Sequence, residues 1–213
     1  AYGIQTRDPT MIRRIYEHLL QSRIEKSNLP GCVAVVLGSA DLSGEGLSRL
    51  CQLLDWSRSI GLSALILYIS DDQPGLCRLP DGFLASYPAQ INLHTAEDVV
   101  RTGTGGLLKV DISLGYGGKK EVVEAFRSIL RGVEEGSIEG DQIDEKTIES
   151  HLRFCQKPDL VIRAGGKRLS DFMIWQAAYS ELYFTDVNWL RLRKIDFLRA
   201  IRDYQGRERR FGR

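Results

Sequence analysis

The sequence predicts an α/β protein with a mostly parallel central sheet flanked by helices, folded as a single domain over residues 1–213. Three observations predict it. The run Cys32-Val-Ala-Val-Val-Leu37 and the apolar segment 62–69 lack polar alternation, as strands covered on both faces do. Between them, residues 46–60 carry Leu47, Leu50, Cys51, Leu54 and Ser57 at helical spacing before Gly61, which makes a strand-helix-strand unit. Finally, 213 residues with 43% hydrophobic content suffice for one substantial core, and no Pro/Gly/Ser linker is long enough to divide the chain.

In chain order, residues 1–29 are read as an N-terminal segment built on an amphipathic helix over 10–26. Met11, Ile12, Ile15, Leu19, Leu20 and Ile24 form its apolar face, expected to pack on the body, and Pro30 stops it. After the second strand, Ser70-Asp71-Asp72-Gln73-Pro74 marks a turn, where paired Asp before Pro suits turn chemistry as well as a metal. Residues 74–104 read as short, turn-rich and weakly periodic. A strand over 107–114 feeds Gly115-Tyr-Gly-Gly-Lys-Lys-Glu121 and a helix over 120–131; the glycine pair suits a tight turn or an anion equally. An acidic loop at 136–140 and a helix over 144–154, with Ile148 and Leu152 inward, follow. The last helix, 194–205, turns Ile195, Leu198, Ile201 and Tyr204 inward, and residues 206–213 form a basic tail.

Charge and cysteines bound the function. A formal net charge of +1 gives no general attraction to nucleic acid, while the Arg-rich last third points to a local anion site. Cys32, Cys51, Cys77 and Cys155 show no C-x-x-C pairing and read as reduced core residues of a cytoplasmic protein. No run of about eighteen apolar residues is present, so the chain is expected to span no membrane.

The densest chemistry lies in residues 158–184. Leu160-Val161-Ile162 is a strand ending in Arg163, the pair Gly165-Gly166, and Arg168. Glycines let backbone approach an anion closely, and two guanidinium forks suit bidentate contact with phosphate oxygens. Ser170 is placed to cap a helix over 171–179 or to donate to the same anion. Glu181, read in a turn before the next apolar strand, would meet a diphosphate through Mg²⁺. These groups are expected to converge at the carboxyl end of a strand, where open α/β sheets hold ligands.

Three stretches carry a resemblance: Arg163-Ala-Gly-Gly-Lys-Arg168-Leu-Ser170, Trp175-Gln-Ala-Ala-Tyr-Ser-Glu181-Leu-Tyr-Phe184, and Arg207-Glu-Arg-Arg210-Phe-Gly212. They resemble the cis-prenyltransferases, the undecaprenyl and dehydrodolichyl diphosphate synthases, with one residue fewer between the glycine pair and Arg168 than is usual. The resemblance implies that Arg163, Arg168 and Ser170 hold the diphosphate of isopentenyl diphosphate and that Glu181 helps ligate Mg²⁺. It also exposes a departure. Where the family follows its first strand with Asp-Gly-Asn, whose Asp serves the metal, this chain has Gly38, Ser39 and Ala40, with Asp41 three places on and Leu-Ser-Gly-Glu-Gly in place of the basic run. Residues 74–104 are too short for the long helices that wall the family's product tunnel.

The resemblance therefore implies a subunit of a heteromeric polyprenyl diphosphate synthase, inactive alone. Its partner would be a homologue carrying Asp-Gly-Asn, which binds most of the Mg²⁺ and takes the allylic diphosphate. Arg210 and Gly212, in an Arg-x-Gly ending like that of two-subunit members, would complete the partner's active site. Peripheral membrane contact fits an apolar prenyl product. Two alternatives stay open: a self-sufficient homodimeric synthase in which Asp41, Asp71 or Asp72 replaces the absent acid, and a non-catalytic prenyl-diphosphate-binding or scaffold protein.

Overall fold

The structure is a computed structural model that describes residues 9–42, 44–70, 78–95, 98–166, 169 and 171–208. Seven strands form one sheet in the order β4-β3-β5-β2-β1-β6-β7. They are β1 (Cys32–Gly38), β2 (Ala64–Ser70), β3 (Gln90–His94), β4 (Val99–Thr102), β5 (Lys109–Leu114), β6 (Leu160–Ala164) and β7 (Glu181–Thr185). Only the β3–β4 pairing is antiparallel. The helices are α1 (Pro9–Ser22), α2 (Glu45–Ile60), α3 (Gly118–Glu134), α4 (Glu145–His151) and α5 (Lys194–Gln205).

The central strands alternate between two apolar clusters. Val33, Val35 and Leu37 of β1 join Leu65, Leu67 and Ile69 of β2 against Leu50, Leu53 and Leu54 of α2 and Phe197, Leu198 and Ile201 of α5. Cys32, Ala34 and Val36 face the other way, onto Tyr116, Phe154, Phe172 and Met173. Burial on both faces is why these strands read as continuous apolar runs. Helix α2 ends where Gly61 turns left-handed at φ +82°. Leu20 of α1 and Ile24 just beyond its end reach the core, whereas Met11, Ile15 and Leu19 stay exposed, so the body covers only part of that stripe.

Four expectations need correction. Residues 74–104, read as turn-rich and weakly periodic, contain β3 and β4. Both are short, and β4, the sheet edge, is almost wholly exposed, so neither had to display a buried apolar pattern. Residues 171–179 form turns rather than a helix. Asp171 is left-handed, and the stretch holds one helical-type bond, Ala177 N–H to the Met173 carbonyl at 3.0 Å. Phe172, Met173 and Gln176 are buried and mimic helical spacing. Glu181 opens β7 rather than sitting in a turn. Cys155 is exposed, while Cys32 is buried and Cys51 half-buried; Cys77 lies outside the described residues.

The inner face of α3 carries an acid. Glu121 is 2% exposed and accepts the Phe154 N–H at 2.7 Å and the Gln176 side-chain amide at 3.1 Å. Burial raises its pKa against those hydrogen bonds, which lower it. Its raised folded-state pKa means that the folded chain holds a proton the unfolded chain releases, so this contribution to stability falls as pH rises through the folded value. Urea midpoints measured across pH 4 to 8 on the order of single-unit steps should show that decline in wild type and a flatter profile in Glu121→Gln. Parallel profiles would remove Glu121 as the cause.

Candidate active site

Parallel strands put the ends of β1, β2 and β6 on one edge of the sheet. Gly38 pairs with Ser70, and Val36 with Arg163. Arg163 follows the buried Leu160-Val161-Ile162 run, so its side chain leaves the sheet where the apolar cover stops. Its Nη1 donates to the Val36 carbonyl at 3.0 Å, while Nε is buried and has no partner among the described residues. An unmet buried donor costs about 1–3 kcal/mol, which an incoming anion would relieve.

The glycine pair admits this arrangement. Gly165 is left-handed at φ +67° and its N–H donates to the Thr185 carbonyl at 3.0 Å; a Cβ there would stand 3.0 Å from the Asn188 backbone. A Cβ on Gly166 would come within 3.1 Å of Arg163 Nε. Arg168 and Ser170 lie outside the described residues, as do Asp71, Asp72, Arg210 and Gly212.

Asp41 is where the structure departs most from the sequence reading. Ser39–Leu42 form a 3₁₀ turn that folds the chain back on the end of β1, and Asp41 Oδ2 accepts the Gly38 N–H at 2.9 Å. The turn thus brings the Asp41 carboxylate back to the Gly38 backbone N–H. A carboxylate stands against the very backbone position where the resemblance expects one. Beside it, the Ser39 hydroxyl is buried and also lacks a partner among the described residues. Ala40 contributes no polar side chain.

Glu181 does not join this edge, and the expected convergence with Arg163 is corrected. In the β6–β7 register it pairs with Leu160, while Ala164 pairs with Thr185. That places Glu181 at the opposite end of the sheet, roughly 13 Å along the strand. There it accepts from Arg207 Nη1 at 2.9 Å, and Arg207 also bonds Asp203 at 2.6 Å and the Leu182 carbonyl at 3.1 Å. The Arg207 pKa is raised, chiefly by the hydrogen bond to Glu181. In its own chain Glu181 anchors the start of the tail.

At the start of α3 the first two amides are already engaged. Gly118 and Lys119 donate their N–H groups to the Asp171 carbonyl at 2.8 Å and to Asp171 Oδ1 at 2.7 Å. Thus the glycine pair of Gly117 and Gly118 serves close packing. Elsewhere, His94 and Asp111 form a buried pair at 2.7 Å, joined by Asn92, that no sequence motif revealed. Among the described residues no group of three or more His, Cys, Asp or Glu side chains is placed to hold a metal. No helix among them is long and apolar enough to cross a membrane.

A mostly parallel α/β sheet thus carries an arginine, a glycine-pair turn and a folded-back carboxylate at its carboxyl edge, where open α/β proteins hold ligands. Residues 82–212 match the family model described as "Putative undecaprenyl diphosphate synthase". A tritrans,polycis-undecaprenyl-diphosphate synthase (geranylgeranyl-diphosphate specific) of Methanocaldococcus jannaschii is 32% identical over 254 aligned residues, covering 97% of this chain and 91% of its own. An isoprenyl transferase 1 of Corynebacterium efficiens is 31% identical over 252, covering 96% and 98%. The crystal structure of lavandulyl diphosphate synthase from Lavandula x intermedia in complex with dimethylallyl diphosphate superposes with a TM-score of 0.72 at 26% identity, covering 88% of this chain and 100% of that one. The chain belongs to the cis-prenyltransferase family of prenyl diphosphate synthases.

The archaeal alignment runs over 254 positions although this chain has 213 residues, so that relative carries residues with no counterpart here. The connection from Ser70 to Gln90 contains no helix among its described residues.

Proposed function

We propose that this chain joins isopentenyl diphosphate to a short allylic diphosphate at the carboxyl edge of β1, β2 and β6, and does so without a catalytic partner of another sequence. The observation that carries this reading is the carboxylate of Asp41 held at the Gly38 N–H, on the edge where Arg163 Nε has no partner among the described residues. In the reaction the allylic C–O bond breaks and diphosphate leaves with the electron pair. The π pair of isopentenyl diphosphate forms the new C–C bond, and a proton departs from the isopentenyl unit.

Magnesium fits these residues in a limited way. Mg²⁺ is usually held by one or two carboxylates together with substrate phosphates, and Asp41 supplies one such carboxylate. When bound, the ion would neutralise charge on the leaving diphosphate. Arg163 would hold and orient that diphosphate by paired N–H donors. The short Ser70–Gln90 connection supports a short product.

The purified chain, given Mg²⁺, labelled isopentenyl diphosphate and dimethylallyl diphosphate, is expected to yield a short prenyl diphosphate that chelation of the metal abolishes. No product from the chain alone would sink the self-sufficient reading.

A second reading is the heteromeric one, in which a homologue carrying Asp-Gly-Asn completes the enzyme. It is favoured by the acid-free Gly38-Ser39-Ala40 turn; the exposed apolar residues Ile174, Tyr179, Leu182 and Phe184 around β7 suit a dimer of either kind. Under it, Arg210→Ala lowers the turnover of the mixed complex and leaves its assembly intact. Truncation should fall after Glu208, because Arg207 also ties Glu181. Activity unchanged by both alterations in a mixed complex would remove the tail from the mechanism.

A further inference from the structure

The turn that carries Asp41 rests on the start of α2. Gly46 lies in the first turn of that helix, and a Cβ there would stand 1.7 Å from the Asp41 carbonyl oxygen, 2.8 Å from its carbon and 3.3 Å from Trp189 Nε1. The backbone of Asp41 and the indole of Trp189 therefore close on the same Cα, and glycine leaves room for both. Trp189 is 1% exposed, and its Nε1 donates to the Gly46 carbonyl at 3.2 Å, the partner that a buried indole N–H needs. It opens the 3₁₀ turn Trp189–Arg191, which Asn188 caps by accepting the Arg191 N–H at 3.0 Å. Farther along α2, Arg49 Nη2 donates to the Leu190 carbonyl at 2.8 Å, a second tie between the helix and that turn. Leu42, Leu50 and Trp189 belong to one apolar cluster.

We propose that Trp189, acting through Gly46, is a positioning residue that sets where the Asp41 carboxylate stands. The inference rests on the reading of Asp41 as the Mg²⁺ ligand. Two contacts fix that residue: its Oδ2 takes the Gly38 N–H at 2.9 Å, and its carbonyl abuts Gly46. The first orients the side chain, and the second stops the backbone from sliding toward α2. Trp189 holds Gly46 by a hydrogen bond and by bulk, so the support under the turn is rigid. Mg²⁺ demands near-ideal octahedral geometry at about 2.0–2.1 Å, so a small shift of a ligand weakens its binding. Groups that orient a metal ligand typically account for about ten- to a hundredfold in metal affinity. A Trp189 that served packing alone would change stability and leave metal affinity per folded molecule intact.

Calorimetric titration with inorganic pyrophosphate, once with Mg²⁺ and once with a chelator, reads the metal's share of binding as the ratio of the two affinities. Trp189→Phe keeps an aromatic ring and removes the N–H. In that variant the ratio is expected to fall about tenfold, with the metal-free affinity unchanged. Its turnover falls at low Mg²⁺ and returns as Mg²⁺ is raised. Asp41→Asn lowers the ratio as well, and the double variant is expected to match it, because Trp189 acts through Asp41. Arg49→Ala removes the other tie to the Trp189–Arg191 turn and is the control for loosened packing: Tm drops and the ratio stays at wild type. Should Trp189→Phe fail to fold, Gly46→Ala drives a Cβ against the Asp41 carbonyl and is expected to lower the ratio in the same way. An unchanged ratio in whichever of these two variants folds, an equal fall in Arg49→Ala, or a double variant worse than Asp41→Asn by the full tenfold would overturn the proposal. A wild-type chain that gains nothing from Mg²⁺, or an Asp41→Asn variant that keeps the gain, would overturn the reading of Asp41 as the metal ligand, and this inference with it.

Discussion

Arg163→Ala is expected to raise KM for isopentenyl diphosphate by about ten- to a hundredfold, the effect of losing a charge-assisted hydrogen bond of about 1.5–3 kcal/mol. The side chain is already aimed before any ligand arrives. Its Nη1 is bound to the Val36 carbonyl, and its Nε faces no partner among the described residues. Because the arginine is oriented in advance, little side-chain entropy is lost when an anion takes the remaining donors. Arg163→Lys should not rescue the loss, since a point charge on a flexible stem reproduces neither the fork nor the bond to Val36. Thermal melts run alongside separate binding from folding: the Val36 carbonyl loses one donor, so a modest drop in Tm is expected. An unchanged KM in a well-folded Arg163→Ala variant would move the diphosphate away from this edge.

The parts of the fold that were legible in the sequence are those in which burial is complete. The runs that became β1 and β2 have no solvent face, and the stripe Ile195, Leu198, Ile201 and Tyr204 lies buried along α5, whose span the structure reproduces. Legibility failed where tertiary contacts replace pattern. Gln90–His94 alternates too weakly to announce a strand, and Val99–Thr102 needs only the edge of its neighbour. Asp171 takes its left-handed backbone from contacts with Tyr68 and the start of α3, which no local propensity records.

At the site, Arg163 and the glycine pair could be read because a buried strand ending in Arg-x-Gly-Gly leaves the arginine at the sheet edge. Glu181 could not be placed by nearness in sequence. In parallel strands the residue that opens β7 lies at the far end from the residue that closes β6. Asp41 could be named only as one of three candidate acids, for another reason. Spacing along the chain sets only the reach of a loop, whereas the 3₁₀ turn of Ser39–Leu42 determines where the carboxylate lands. An Asp three residues after a strand-ending glycine is a recognisable local signal, because short acidic side chains bond nearby backbone N–H groups.

Asp41→Asn is expected to cut turnover of the isolated chain by roughly a thousandfold, which corresponds to about 4 kcal/mol on the barrier. Asparagine still accepts the Gly38 N–H through its amide oxygen, so the 3₁₀ turn and the fold should survive and Tm should stay close to wild type. What disappears is the negative charge. A carboxylate with one oxygen bonded to Gly38 N–H keeps its other oxygen for a cation shared with the diphosphate, and a neutral amide is a poor ligand for Mg²⁺. The leaving diphosphate then departs with less of its charge neutralised. Asp41→Glu should recover little, because the longer side chain cannot keep the same bond to Gly38 and the same oxygen in place. The comparison also decides between the two functional readings. If Asp-Gly-Asn in a partner supplies the metal ligand, Asp41→Asn in this chain leaves the mixed complex at wild-type turnover, and the isolated wild-type chain is inactive from the start. If Asp41 is the ligand, the isolated wild-type chain turns over and the variant loses that activity without losing its fold.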